Sequence, residues 1–206
     1  MDAAAFQAAT GATDAHMADL DAFRLMVERT NAVMNLVGPD TLPDFWRRHA
    51  LDSAQLLALE PEALTWADLG AGAGFPGVVL AILLKDRPDA HVWLIDSLGK
   101  RCRFLSEVAA ALDLPATVIN GRAEDQQLSV AVVTARAVAP LDKLLAYAHP
   151  YVRRGAKGLF LKGQKAGDEL IEARKSWQVE AELTPSISDE RGRIVRIRSL
   201  RRAHVA

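Results

Sequence analysis

Residues 64–84, LTWADLGAGAGFPGVVLAILL, constrain the fold of this chain more than any other stretch. A short apolar run ending at Leu69 breaks into Gly70, Gly72, Gly74, Pro76 and Gly77, then resumes over residues 78–84 with helical apolar spacing. That pattern reads as strand, glycine turn, helix. Glycine lets the backbone take positive φ and approach a ligand closely, and a helix start turns its unpaired N–H groups toward whatever lies above the turn. A nucleotide-like ligand is the natural occupant.

Two cofactors compete for that turn. Gly72, Gly74 and Gly77 have the G-x-G-x-x-G spacing, and Asp96 ends the next strand where the ribose-binding acid of a dinucleotide site belongs. Three details favour S-adenosyl-L-methionine (AdoMet), whose sugar needs the same acid but which has no pyrophosphate. Asp68 closes the first strand, where an anion would oppose phosphates but would suit a cationic methionine moiety. Pro76 removes an N–H from the helix start, where phosphate needs donors. The strand also begins about 60 residues into the chain rather than at its start. A dinucleotide stays open as the alternative.

The chain has 206 residues, half of them hydrophobic, enough for one sizeable core. Its net charge of −1 means that any nucleic-acid contact must come from a local patch. The single cysteine, Cys102, excludes an internal disulfide, and the opening MDAAAFQAATGATDAH has neither a basic leader nor a long apolar core. The longest apolar run, residues 77–84, is too short to span a bilayer. A cytoplasmic protein without a membrane partner is expected. No metal-ligand cluster stands out, and a monomer is the default.

Residues 1–13 lack periodicity and are expected to fray. Asp14 is placed to cap a helix with the stripe Met17, Leu20, Phe23, Val27, Met34, and a second helix over residues 43–59 puts Phe45, His49 and Leu56 on one face. Residues 1–63 are thus expected to form a helical cap on a ligand-binding domain of residues 64–206. His49 and Asp52 lie three apart and can face the same way. They read either as a satisfied histidine with an acid bonded to a neighbouring loop, or as a wall of a substrate pocket.

From residue 65, strands at 91–96, 116–119, 130–134 and 158–161 alternate with helices, as in a parallel sheet. Segments 179–183 and 194–200 read as closing antiparallel strands. Gly121-Arg122-Ala123-Glu124-Asp125 is placed to meet an adenine, with Glu124 or a backbone group at its amino edge. Arg136, ending the fourth strand, opens onto the ligand crevice and is the leading site candidate. Lys162 and Lys165 are candidate phosphate contacts. The segment from Arg191 carries six arginines and no acid, and Val195 and Ile197 alternate with Arg196 and Arg198 to give one apolar and one basic face.

If the turn holds AdoMet, missing machinery narrows the acceptor atom. Exocyclic amine methylation usually employs an Asn/Asp-Pro-Pro-Tyr turn after the fourth strand, where this chain reads Thr134-Ala135-Arg136-Ala137. Cytosine carbon-five methylation needs a cysteine nucleophile, and Cys102 is far from that strand in sequence. A ring nitrogen with a free lone pair, such as guanine N7, needs only alignment and electrostatic support.

The blocks RHALDS (48–53), DLGAGAGFPG (68–77), LIDSLGKRCRFL (94–105), GRAED (121–125), ARAVAPL (135–141) and LFLKG (159–163) together resemble the RsmG, or GidB, family. The likeness runs from about Asn35 onward. It implies a class I AdoMet-dependent methyltransferase fold, Rossmann-like and mostly parallel. It also implies methylation of guanine N7 at position 527, in the 530 loop of bacterial 16S rRNA, either free or in the small ribosomal subunit, leaving S-adenosyl-L-homocysteine. The cofactor contacts it implies are Gly70, Phe75, Ala123, Glu124 and Arg136, with Asp96 at the ribose; Asp68, Gly72 and Gly74 are cofactor candidates from the turn itself. Arg136 would be shared with the RNA, which Arg48, Lys162 and Lys165 would also touch. No dedicated general base is implied, and a class I methyltransferase acting on another RNA, a protein or a small molecule is the alternative.

Overall fold

The protein is described by a computed structural model over residues 1–203. Five strands, β1 (Thr65–Leu69), β2 (His91–Asp96), β3 (Ala116–Asn120), β4 (Val132–Arg136) and β5 (Lys157–Lys162), run parallel. Two more, β6 (Trp177–Pro185) and β7 (Arg193–Arg202), close the sheet antiparallel, giving the order β3-β2-β1-β4-β5-β7-β6. Trp66, Ala67, Asp68 and Leu69 are all buried, as in a strand covered on both faces. The chain runs outward from β1 through β2 to β3, then returns to place β4 on the other side of β1. The strand order therefore reverses between β1 and β4, where open α/β sheets leave a crevice at the carboxyl ends.

Helices α4 (Gly77–Leu84) and α5 (Gly99–Ala111) cover one face of the sheet, and α6 (Leu141–Val152) and α7 (Ala166–Ala173) the other. The N-terminal helices α1 (Ala3–Thr10), α2 (Asp14–Met34) and α3 (Asp52–Leu59) join the first layer, with Phe6, Leu20, Phe23 and Leu56 in one cluster with Val78, Leu80 and Leu94.

The N-terminus differs from the sequence expectation. Residues 1–13 are not frayed: α1 is capped by Asp2, whose Oδ1 accepts from the Ala5 amide at 2.9 Å, and ends at Gly11 with φ of 68°. Two turns alone are too short to be stable. Phe6 supplies the rest, fully buried with its ring 5.4 Å from that of Trp46. The cap of α2 is Thr13 rather than Asp14, because Thr13 Oγ1 accepts from the His16 amide while His16 Nδ1 accepts from the Thr13 amide.

The expected helix over residues 43–59 is three pieces, a 3-10 stretch Pro39–Asp44, a π-helical turn Trp46–Leu51 and α3. Pro43 inside the first piece cannot donate an amide, so a regular α-helix does not begin before it. Widened π turns are frequent at functional sites, and this one carries Arg48 and His49.

Candidate active site

A cavity of about 580 Å³ opens at the strand-order reversal. The glycine turn forms its floor, the π-helical turn one wall, and the tip of the β6–β7 hairpin another, through Ser186, Ser188 and Gly192. Arg136 reaches it from the end of β4.

The Arg136 guanidinium is held on three sides. Nη1 donates to the Arg48 carbonyl at 3.0 Å and to Asp52 Oδ2 at 3.2 Å, and Nη2 donates to His49 Nδ1 at 2.9 Å. The Phe75 ring lies beneath, 4.9 Å from the guanidinium carbon. Burial lowers the arginine's pKa while neighbouring Asp52 opposes that. An arginine can only donate, so His49 Nδ1 must accept and its proton sits on Nε2. Nε2 then donates to Thr41 Oγ1 at 2.9 Å, and that hydroxyl donates to the Gly38 carbonyl at 2.7 Å. Burial first, then Arg136 and Arg48, pushes the His49 pKa down to about 3, which keeps the imidazole neutral. Its ring stacks on Phe75 at 4.6 Å.

Asp52 links this cluster to the hairpin. Its Oδ1 accepts from Ser188 Oγ at 2.6 Å, and Gln55 bonds Ser186 and the Ile187 amide nearby. Both sequence readings of Asp52 are therefore present at once, since it bonds a neighbouring loop and also grips the arginine in the pocket wall. The three-residue spacing of His49 and Asp52 was the available signal. Ser188 and Thr41 carried none.

The glycine turn is wired differently from a phosphate loop. The Gly77 amide at the start of α4 donates to Asp68 Oδ2 at 2.8 Å, and the Gly72 amide to Asp96 Oδ2 at 3.0 Å. Asp68 is therefore sealed beneath the turn instead of facing the cavity, with Oδ1 buried and unpartnered. Burial raises its pKa to about 7, against the opposing pull of the Gly77 amide. The close packing explains the glycine: a Cβ on Gly77 would come within 2.3 Å of Leu94 and 2.7 Å of Asp68 Oδ2. Gly70 has φ of 67°, Gly72 55° and Gly74 97°, left-handed conformations that side chains resist.

Asp96 is 4% exposed and accepts also from the Leu98 amide at 2.8 Å, with Arg101 3.6 Å away. Ala123 and Glu124 sit in a 3-10 turn beyond β3, next to Asp96 through the Gly121 amide, and do not line the cavity itself. Arg48 is exposed on the rim. Lys162 lines the cavity but is committed, its Nζ 2.7 Å from Glu169 Oε2 and donating to the Ala139 carbonyl at 3.0 Å. Lys165 is exposed and lies outside the lining.

The family model for rRNA small subunit methyltransferase G, GidB, matches residues 16–195. This chain belongs to the rRNA small subunit methyltransferase G family. A family member of that name from Caulobacter vibrioides (strain NA1000 / CB15N) is 61% identical over 202 residues, covering 98% of this chain and 94% of its own length. Among solved structures, a SAM-dependent methyltransferase from Aquifex aeolicus aligns with a TM-score of 0.56 at 14% identity, over 86% of this chain and 97% of that one. Magnesium protoporphyrin IX methyltransferase from Synechocystis PCC 6803 with bound SAM aligns with a TM-score of 0.57 at 14% identity, over 79% and 86%. At that identity the likeness concerns the fold, the class I methyltransferase architecture expected from the sequence. The family match covers the glycine turn, the π-helical wall and Arg136 alike. Among the described residues no group of three or more metal-binding side chains gathers, and no helix is long and apolar enough to cross a membrane.

Proposed function

We propose that this protein transfers a methyl group from AdoMet to N7 of a guanine in 16S rRNA, at position 527 in the 530 loop, as the family resemblance implies. The observation that carries the guanine-N7 reading is the commitment of the ionisable groups around Arg136. His49 has both ring nitrogens engaged and stays neutral, and Asp52 has both oxygens engaged. Cys102 is buried, its thiol donating to the Asp96 carbonyl at 3.2 Å and its pKa raised by that burial, so it offers no thiolate. An arginine whose ionisable neighbours hold no spare base or nucleophile suits an acceptor that already carries a lone pair.

The turn fits AdoMet better than a dinucleotide. The amides of Gly72 and Gly77 are spent on carboxylates, so a pyrophosphate would meet Asp96 in place of donors. Asp96 retains lone pairs for ribose hydroxyls, since each carboxylate oxygen can accept two bonds. Gly70, Gly72, Gly74 and Phe75 would hold the methionine side of the cofactor, with Ala123 and Glu124 at the adenine. Bound there, the sulfonium supplies an electrophilic methyl group. Arg136, fixed by three acceptors, orients the target base. Guanine O6 lies beside N7, and an arginine donor on O6 leaves the N7 lone pair free. Arg48 at the rim and Lys165 outside the lining meet the RNA, residues 1–63 cap residues 64–206, and the protein acts as a monomer in the cytoplasm.

Tritiated AdoMet with small-subunit particles and free 16S rRNA from a strain lacking this enzyme tests the proposal. The expected result is label in one guanine of the 530 loop, with strand scission there after borohydride and aniline. Label resistant to that cleavage would refute N7. Label confined to protein or small molecules would refute the RNA substrate.

A further inference from the structure

The end of the sheet opposite the crevice carries a second concave site. It is a cleft of about 500 Å³ between the end of α6 and the end of β7, lined by His149, Arg153, Arg198, Arg201 and Arg202 with no carboxylate among its lining residues. Arg198 is shared with Glu182 at 3.6 Å. Arg153, Arg201 and Arg202 make no side-chain ion pair or hydrogen bond among the described residues, while the guanidinium carbon of Arg202 lies over the buried Trp177 ring, 4.2 Å from its centroid. The chain as a whole has a net charge of −1, so this concentration of cations is local. The imidazole of His149 reports the field: burial lowers its pKa, and Arg153 and Arg202 lower it further.

We propose that this cleft is a second docking site for the phosphate backbone of the substrate RNA, distinct from the methyl-transfer crevice. It rests on the RNA reading given above. β7 joins the two sites, since Arg193 pairs with Lys162 at the crevice and Arg202 with Trp177 at the cleft. Nine steps of an extended strand separate them by about 30 Å, so only a large ligand reaches both. The C-terminal end of α6, where Arg153 stands, carries the negative end of the helix dipole, which disfavours an enclosed small anion. A backbone lying across the surface arginines avoids that penalty.

The double variant Arg153→Ala/Arg201→Ala tests this, as both residues are exposed and outside the crevice. Affinity for free 16S rRNA is measured against salt for both proteins, together with AdoMet affinity and kcat at saturating RNA. The expected result is unchanged AdoMet affinity and kcat, a raised KM for RNA, and a slope of log K against log salt reduced by about 1.5, as for two lost phosphate contacts. An unchanged slope overturns the cleft proposal while wild-type methylation of RNA leaves the substrate reading standing. Loss of affinity for the assembled subunit but not for free RNA also overturns it, in favour of a protein contact. Failure of the wild type to bind or methylate RNA overturns both.

Discussion

Asp68→Asn isolates the cost of a carboxylate sealed under the glycine turn. The amide keeps the volume and an oxygen to accept from the Gly77 amide, and removes only the charge. In the native protein the pKa of Asp68 is raised from 3.8 to about 7. Between those values the folded state holds a proton that the unfolded chain has released, so stability falls as pH rises. The favourable protonated state is fully present below the lower value and lost as pH passes the upper one. At 1.36 kcal/mol per pKa unit the loss is roughly 4 kcal/mol, large against a typical total of 5–15 kcal/mol. His49 opposes it: its pKa falls from 6.5 to about 3, so it contributes stability that is lost as pH falls through that range. The wild-type profile alone therefore hides both effects, and the comparison must be between proteins. Urea unfolding at pH 4 and pH 8 should show the asparagine variant gaining roughly 4 kcal/mol on the wild type between the two conditions. A difference that stays constant across pH would refute the account of Asp68 as a desolvated acid.

Asp96→Ala should weaken AdoMet binding by about 1.5–3 kcal/mol in calorimetry, the worth of a hydrogen bond to a charged group, and unchanged affinity would remove Asp96 from the ribose. For His49, the asparagine variant retains an acceptor near the position of Nδ1 and should keep most of kcat. His49→Leu leaves the Arg136 donor unpaired and should lower kcat by about tenfold or more, a cost of about 1–3 kcal/mol. Equal loss in both variants, tracking melting temperature, would make His49 a packing residue. Lys162→Ala should destabilise the fold by about 1–3 kcal/mol by removing the ion pair of Glu169, which keeps only the Leu141 amide as a partner, with little change in the salt dependence of RNA binding. Lys165→Ala should do the reverse, and a salt effect at Lys162 would show that its ion pair opens on RNA.

Much of the sheet was readable because its signals are local. The run before Gly70 matches β1, residues 91–96 match β2 to the residue, and the alternation of Val195 and Ile197 with Arg196 places β7 with its apolar side on α6 and α7. Arg136 was legible as a crevice residue from its place at a strand end alone. Such features need only periodicity and turn residues within a few positions of each other.

The N-terminus shows where local reading fails. Residues 1–13 are Ala- and Thr-rich and carry no stripe, yet α1 forms because Phe6 meets Trp46, about 40 residues later. Asp68 reads as a ligand-facing acid until the turn folds over it. Lys162 reads as a loop cation until Glu169 arrives from α7.

By itself, then, the sequence determined the alternation of strands and helices, the glycine turn and the residue types that face its crevice, because each depends on spacing along one element. The tertiary structure alone decided which side chains that crevice receives in working form. Bringing His49 and Asp52 to Arg136, more than 80 positions away, requires the β1–β4 pairing, the π-helical turn and the hairpin tip together. The same separation governs charge: whether an acid or base is sealed, paired or free is set by the partners the fold brings, and those lie far away in the chain.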